Sequence, residues 1–383
     1  MSWEKLKLEE IGLITSGGTP STGNPAYWNG EIPWITPKDL SNFENRYIEN
    51  GERNITDEGL KNSSAKLVKE KSVLLSSRAP IGYLAIAQND LTTNQGFKNI
   101  TPNEKCDYLY LFYCLKNNVE YLKSLGIGAT YPELSSSRLK EIQIPVPSLP
   151  TQRKIATILS AYDDLIENNL KRIKLLEEKA QLHYIQYKPI EKIALQDIAD
   201  YLGRGVTPKY EEGSGFYAIN QKANKGSLLE YSQFKSLDSK LEVPDDKFAK
   251  WGDLLINSLG EGTLGRVHFY TDKSDLYAVD QHMSIFRTQK QHYTFYLYQF
   301  LSSNYGQGLL DSLKKGGTNM TMLNISDLRQ LIVSFPSEKE LIELWNVCKP
   351  LFQLKQTLIT QNTKLREARD ILLPKLMNGQ IEV

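Results

Sequence analysis

One block of sequence occurs twice in this chain, each copy running into a long amphipathic helical stretch, and that layout restricts the fold to two homologous lobes attached to two long helices. Leu8, Ile11, Gly18 and Thr19-Pro20 open the first copy, and Leu195, Ile198, Gly205 and Thr207-Pro208 open the second. Val73-Leu74-Leu75-Ser76-Ser77 is answered by Leu254-Leu255-Ile256-Asn257-Ser258, Gly82 by Gly265, and Asn94-Gln95-Gly96 by Asp280-Gln281-His282. The aromatic run Tyr110-Leu111-Phe112 recurs as Tyr296-Leu297-Tyr298, and Leu139 to Pro147 recurs as Leu328 to Pro336. A period near half of 383 residues is too long for a solenoid and marks a domain duplication.

Within each block short apolar runs are punctuated by Gly, Pro and Asn, which predicts strands at 32–35, 72–77, 83–87, 228–234, 254–259 and 266–270. Apolar residues at helical spacing predict helices over 108–125 and 293–313, so the blocks are α+β. From Ile155, the residues Leu159, Tyr162, Ile166, Asn169, Ile173, Leu176, Ala180 and His183 alternate steps of four and three, the seam of a coiled coil. From Leu341, the series Leu344, Cys348, Leu351, Lys355, Leu358, Asn362, Leu365, Arg369, Leu372 and Leu376 does the same. A lone rod of about 50 Å, at about 1.5 Å per residue, is unstable in water, so the two seams are expected to cover each other. Pro189 ends the first rod, and Pro374 bends or ends the second. Asn169 and Asn362 occupy matching seam positions, where a buried Asn lowers stability but fixes register. Antiparallel pairing about a pseudo-twofold would bring them within a turn of each other.

No apolar run approaches the roughly 18–20 residues that cross a bilayer, and the N-terminus lacks the order of a signal peptide. Three scattered thiols, Cys106, Cys114 and Cys348, fit a reduced, cytoplasmic setting. A net charge of +1 argues against coating nucleic acid by bulk electrostatics, although Lys61, Lys66, Lys69, Lys71 and Arg78 crowd one stretch.

Catalytic signatures fail on context. Gly260-Glu-Gly262-Thr-Leu-Gly265 matches a dinucleotide fingerprint, but the alternating Arg266-Val-His-Phe-Tyr270 predicts a strand where a helix would have to receive the pyrophosphate. Asn24-Pro25-Ala26-Tyr27 resembles an amino-methyltransferase loop without its second Pro, and reads as a turn. No Gly-Lys dipeptide exists for a phosphate-binding loop, and His183, His268, His282 and His292 lack metal-ligand spacing. Pro244-Asp245-Asp246-Lys247 lacks the second acidic element of a nuclease pocket. What the duplicated loops do carry is side chains of the kind that reach base edges in a major groove. In the first copy these are Thr19, Ser21, Thr36, Lys38, Arg78, Asn94, Gln95 and Tyr131. In the second they are Thr207, Lys209, Lys222, Ser258, Arg266, Gln281, His282, Lys315 and Asn319. Composition alone favours ordinary solvated loops for any one of these residues, since polar loops are the norm on any surface.

The opening Trp3-Glu-Lys-Leu-Lys-Leu-Glu-Glu-Ile11, Thr15-Ser-Gly-Gly-Thr-Pro20 and Ile32-Pro-Trp34-Ile35 resemble the specificity subunit of Type I restriction-modification enzymes. So do the joint Ile144-Pro-Val-Pro147 to Gln152-Arg-Lys-Ile155, Ile166-Glu-Asn-Asn169 and the Leu175-Leu176-Glu-Glu stretch, and the similarity spans the whole chain. The resemblance implies two duplicated α/β target recognition domains separated by a pair of long antiparallel coiled-coil helices. It divides the chain into a first recognition domain (1–150), a central spacer helix (151–187), a second recognition domain (188–336) and a distal spacer helix (337–383). Each domain would read one half of an asymmetric bipartite site in double-stranded DNA. The helices, through Tyr162, Ile166, Asn169, Ile173, Leu176, Leu351, Leu358, Asn362 and Leu365, would pair and dock two methyltransferase subunits. Cofactors are expected only on partners: S-adenosylmethionine on the methyltransferase, ATP on a restriction motor and nuclease subunit. The alternative is a coiled-coil scaffold whose lobes bind protein or glycan.

Overall fold

The computed structural model describes residues 3–383 apart from 42, 129–131, 261, 274 and 318–319. The first repeat carries β1 (Glu4–Lys7), β2 (Gly12–Ser16), β3 (Trp28–Ile35), β4 (Tyr47–Ile48), β5 (Arg53–Ile55), β6 (Val73–Ser77), β7 (Ile81–Ala87), β8 (Thr92–Thr93), β9 (Phe97–Pro102) and β10 (Gln143–Val146). A five-stranded sheet orders them β2-β9-β6-β7-β4, a three-stranded one β5-β3-β8, and β1 pairs antiparallel with β10. The second repeat carries β11 (Glu191–Ala194), β12 (Tyr201–Arg204), β13 (Tyr217–Ile219), β14 (Lys235–Ser236), β15 (Leu254–Asn257), β16 (Val267–Phe269), β17 (Ala278–Val279), β18 (Met283–Arg287), β19 (Lys314–Gly317), β20 (Met320–Leu323) and β21 (Ile332–Phe335). Its sheets run β12-β18-β15-β16 and β14-β13-β17, with β11 paired to β21, so the second repeat reproduces the main strand order of the first.

Local chemistry sets the helix ends. Asp107 accepts hydrogen bonds from the Leu109 and Tyr110 amides and starts the helix Tyr108–Asn117. Asn118 breaks the expected 108–125 helix, whose remainder is Val119–Ser124. In the second repeat Gln291–Ser302 and Asn304–Ser312 part at Ser303, which caps the latter through the Gly306 amide. Segment 228–234 is not a strand: Tyr231–Gln233 is a 3-10 turn, because the aromatic rings of Tyr231, Phe234 and Tyr277 pack on one another rather than alternate across a sheet. The strand expected after the glycine-rich loop is β16.

The central helix runs Leu149–Tyr184 and the distal helix Glu338–Met377. Pro374 lies in the last turn of the distal helix without ending it, since Leu373, Leu376 and Met377 around it are buried. The chain divides into two compact units that cut across the boundaries read from sequence: residues 1–170 with 360–383, and residues 171–359. In the first, Ile155 and Leu159 of the central helix and Leu373, Leu376 and Met377 of the distal helix join a core with Leu8, Ile11, Val73, Ile100 and Tyr110. In the second, Ala180 and Leu341, Leu344, Trp345, Cys348 and Phe352 join Leu195, Leu254, Phe269, Phe295 and Tyr296. Each lobe therefore covers a helix stripe that would otherwise face water, the dominant stabilising term for elements this long.

Gln152 fastens the first lobe to the start of the central helix. Fully buried, its Oε1 accepts from the Asp107 amide at 2.8 Å, while Nε2 donates to the carbonyls of Lys105 at 2.9 Å and Pro147 at 2.8 Å. The distal helix begins instead with Ser337 and Glu340 capping each other.

Candidate nucleic-acid interface

In the first repeat β3 and β8 run parallel, with Trp34 opposite Thr92 and Ile35 opposite Thr93, so both strands release their following loops at one edge. The Asn94 amide donates to the Ile35 carbonyl at 2.8 Å, Gly18 to Thr93 at 2.9 Å and Gly17 to Phe97 at 3.3 Å. A Cβ on Gly17 would stand 2.0 Å from the Asn94 carbonyl oxygen, so only glycine fits where the three loops meet. On this frame the Thr19 hydroxyl donates to Gln95 Oε1, and Asn94 Oδ1 accepts from the Gly96 amide at 2.8 Å. Thr36 donates through its amide and hydroxyl to Asp39, and Lys38 pairs with Glu52 at 2.7 Å. Ser21 is exposed at the same edge.

The second repeat builds the same frame. β13 and β17 are parallel, Asp280 donates its amide to Ile219 at 2.9 Å, Val206 to Val279 at 2.7 Å and Gly205 to Met283 at 3.1 Å. Gly205 is thus the counterpart of Gly17 rather than Gly18, and its Cβ would fall 2.0 Å from the Val279 oxygen. Thr207 Oγ1 donates to Gln281 Oε1 at 2.9 Å, and Asp280 Oδ1 accepts from the His282 amide at 2.8 Å and faces its Nδ1 at 2.5 Å. Lys222 follows Asn220, whose Oδ1 accepts its amide at 2.8 Å, and Lys209 is exposed.

The remaining expected contacts lie elsewhere. Ser258 is fully buried and shares a 2.7 Å hydrogen bond with Ser284, because β15 and β18 pair there, so it does not reach a surface. Arg266 donates to the carbonyls of Asn224 and Gly262 and pins the glycine-rich loop. Arg78 sits 3.6 Å from Glu133, and Lys315 2.8 Å from Asp327. Tyr131 and Asn319 fall outside the described residues. Asn24 caps the turn Pro25–Tyr27 through the Ala26 amide, and Lys250 occupies Asp245 at 2.6 Å. Among the described residues no cluster of His, Cys, Asp or Glu could hold a metal ion, and no helix is long and apolar enough to cross a membrane.

The helix pair is antiparallel in both units. In the first, Asn169 Nδ2 donates to Asn362 Oδ1 at 2.9 Å, and Asn362 Nδ2 to the Ile166 carbonyl at 3.2 Å. Asp163 is buried against Arg369, accepts from the Tyr113 hydroxyl at 2.7 Å and lies 3.9 Å from Lys116. Burial alone would raise its pKa, but Lys116, Arg369 and the Tyr113 hydrogen bond together hold it below the ordinary carboxylate value. Arg46, from the loop before β4, grips the same helix through Glu167 at 3.0 Å and through Asp164. In the second unit Lys355 is buried between Glu177, at 2.6 Å, and the Ser227 carbonyl, and burial lowers its pKa against the pull of Glu177. Ile166, Ile173 and Leu358 are buried, whereas Tyr162, Leu176, Leu351 and Leu365 are half-buried. Asp163 and Arg46 carry no periodic signal; packing of the first lobe against the helices buries them.

A family model described as the Type I restriction modification DNA specificity domain matches residues 1–178. The Type I restriction enzyme MjaIX specificity subunit of Methanocaldococcus jannaschii is 37% identical over 418 residues, an alignment covering 100% of this chain and 94% of that protein. The HindI specificity subunit of Haemophilus influenzae is 28% identical over 182 residues, 46% of this chain and 39% of that one. The crystal structure of a Type-I restriction-modification system S subunit from M. genitalium matches with a TM-score of 0.59 at 14% identity, covering 98% and 96% of the two chains, a likeness of fold. End-to-end identity at that level, on a duplicated fold of the same kind, means that this chain belongs to the specificity subunits of Type I restriction enzymes.

Proposed function

We propose that the chain is a non-catalytic reader of a bipartite, asymmetric site in double-stranded DNA, one half per repeat, with an unread spacer set by the central and distal helices. The observation that carries this reading is the recurrence of one backbone frame in both repeats with different side chains mounted on it. Identical frames with unlike side chains suit two unlike half-sites. The 36 residues of the central helix amount to about 54 Å of rod, a length of the same order as the roughly 34 Å of one DNA turn.

The reaction would belong to partners. Burial pushes the Cys106 and Cys348 thiols up to about 12, which favours packing over nucleophilic roles. Leu165, Leu175 and Leu182 on the central helix are 53%, 62% and 61% exposed, and suit docking of two methyltransferase subunits that bring S-adenosylmethionine. A restriction motor and nuclease subunit using ATP completes the assembly in the cytoplasm. Loop lysines already paired with carboxylates, such as Lys38 and Lys315, fit a subunit that binds DNA weakly alone and tightly once assembled.

Inserting one heptad into each helix tests the reading. The assembled enzyme should then methylate sites whose spacer is longer by about 3 base pairs, since seven residues add about 10 Å, with both half-sites unchanged. Altered half-sites, or an unshifted spacer, would overturn it; failure of the assembly to retain any duplex would favour a protein- or glycan-binding scaffold.

A further inference from the structure

Side chains on the two loop frames have diverged at most equivalent places: Ser21 against Lys209, Thr36 against Asn220, Asn94 against Asp280, Gly96 against His282. One bonded pair has not. Thr19 donates its hydroxyl to Gln95 Oε1, and Thr207 donates its hydroxyl to Gln281 Oε1 at 2.9 Å. Neither bond is needed to close the loops, which backbone hydrogen bonds already fix in both repeats. Gln95 is exposed and Gln281 half-buried, and both Thr–Gln bonds are solvent-exposed at the edge where the loops converge.

The bond has a chemical consequence. A free glutamine amide presents its acceptor and donors in either sense, whereas a hydroxyl donating to Oε1 fixes which end is oxygen. Oε1 keeps its second lone pair and Nε2 both hydrogens. The resulting edge, one acceptor beside one donor, complements adenine in the major groove, which offers the N6 donor next to the N7 acceptor. Guanine presents two acceptors there, cytosine a donor alone, and thymine an acceptor and a methyl group. We infer that Gln95 and Gln281 each read an adenine, one per half-site, with Thr19 and Thr207 as positioning residues that orient the amides. The inference rests on the DNA-reading function proposed above and adds the element that the two half-sites share.

The test uses the full chain assembled with its methyltransferase subunits and selected against duplexes randomised in both half-sites. Gln95→Ala should relax discrimination at one A·T pair of one half-site by on the order of 10- to 100-fold, and Gln281→Ala at one A·T pair of the other. Gln95→Glu, which replaces the donor by an acceptor, should move the preference at that pair toward cytosine, a gain that no structural role for the side chain predicts. Thr19→Val and Thr207→Val should loosen the same two positions to a smaller degree, with melting temperatures unchanged. Weakening spread evenly over all sequences, discrimination lost at a base other than adenine, or unchanged selectivity would each overturn the assignment. If the wild-type assembly selects no bipartite duplex, the proposed function itself fails; if it does and the Gln variants select the same sites, only this inference fails.

Discussion

Removing Arg369 should damage the protein more than removing both members of its ion pair. Arg369→Met leaves the Asp163 carboxylate buried in the first unit, with only the Tyr113 hydroxyl and the more distant Lys116 to compensate it. Breaking such a pair costs about 3–5 kcal/mol, and the surviving partners argue for about 3. For a folding unit of this size roughly 2–4 °C are lost per kcal/mol, so differential scanning calorimetry should register a drop of about 6–12 °C at pH 7. Combining Asp163→Leu with Arg369→Met replaces the pair by apolar groups, and should recover most of that loss, to within about 1–2 kcal/mol of wild type. Acid gives a second check. Because the folded pKa of Asp163 is depressed, its contribution is fully present above the ordinary carboxylate pKa and is lost as pH falls below it. In Arg369→Met, burial is left to dominate and the carboxyl pKa rises, so protonation relieves the variant, and the gap from wild type should narrow from pH 7 to pH 4. A single variant melting within about 2 °C of wild type, a double variant no better than the single, or a gap that widens in acid would refute the reasoning.

Asn169→Leu with Asn362→Leu should raise the melting temperature while permitting cysteine pairs placed one heptad out of register to cross-link, because the buried Asn–Asn hydrogen bond that matches the two seams is gone; cross-linking confined to the native register would count against this. His268 is buried with its Nδ1 against the Gly226 carbonyl, and burial, reinforced by the charge of Lys355, lowers its pKa to about 3. Its contribution is complete above the unfolded value near 6.5 and shrinks as pH falls toward 3, so His268→Gln should flatten melting temperature against pH across that window, and an unchanged slope would contradict it.

The sequence by itself determined whatever repeats at a fixed step. The duplication, the two helical seams and the matching seam positions of Asn169 and Asn362 are all periodic, and period is a property of neighbours along the chain. The tertiary structure decided what depends on residues far apart in sequence. Thr19, Asn94 and Gln95 share an edge only because β3 and β8 pair in parallel, and parallel pairing joins distant segments that no local pattern announces. Ser258 follows the repeat yet is sealed inside by β18, whereas Asp163, one place off the seam, is buried by the helix that carries Tyr113 and Lys116. Residues 360–383 belong to the unit formed by the start of the chain, because an antiparallel helix brings its far end back to where its partner began. Spacing along the chain says which residues face the same way; only the packed fold says what they face.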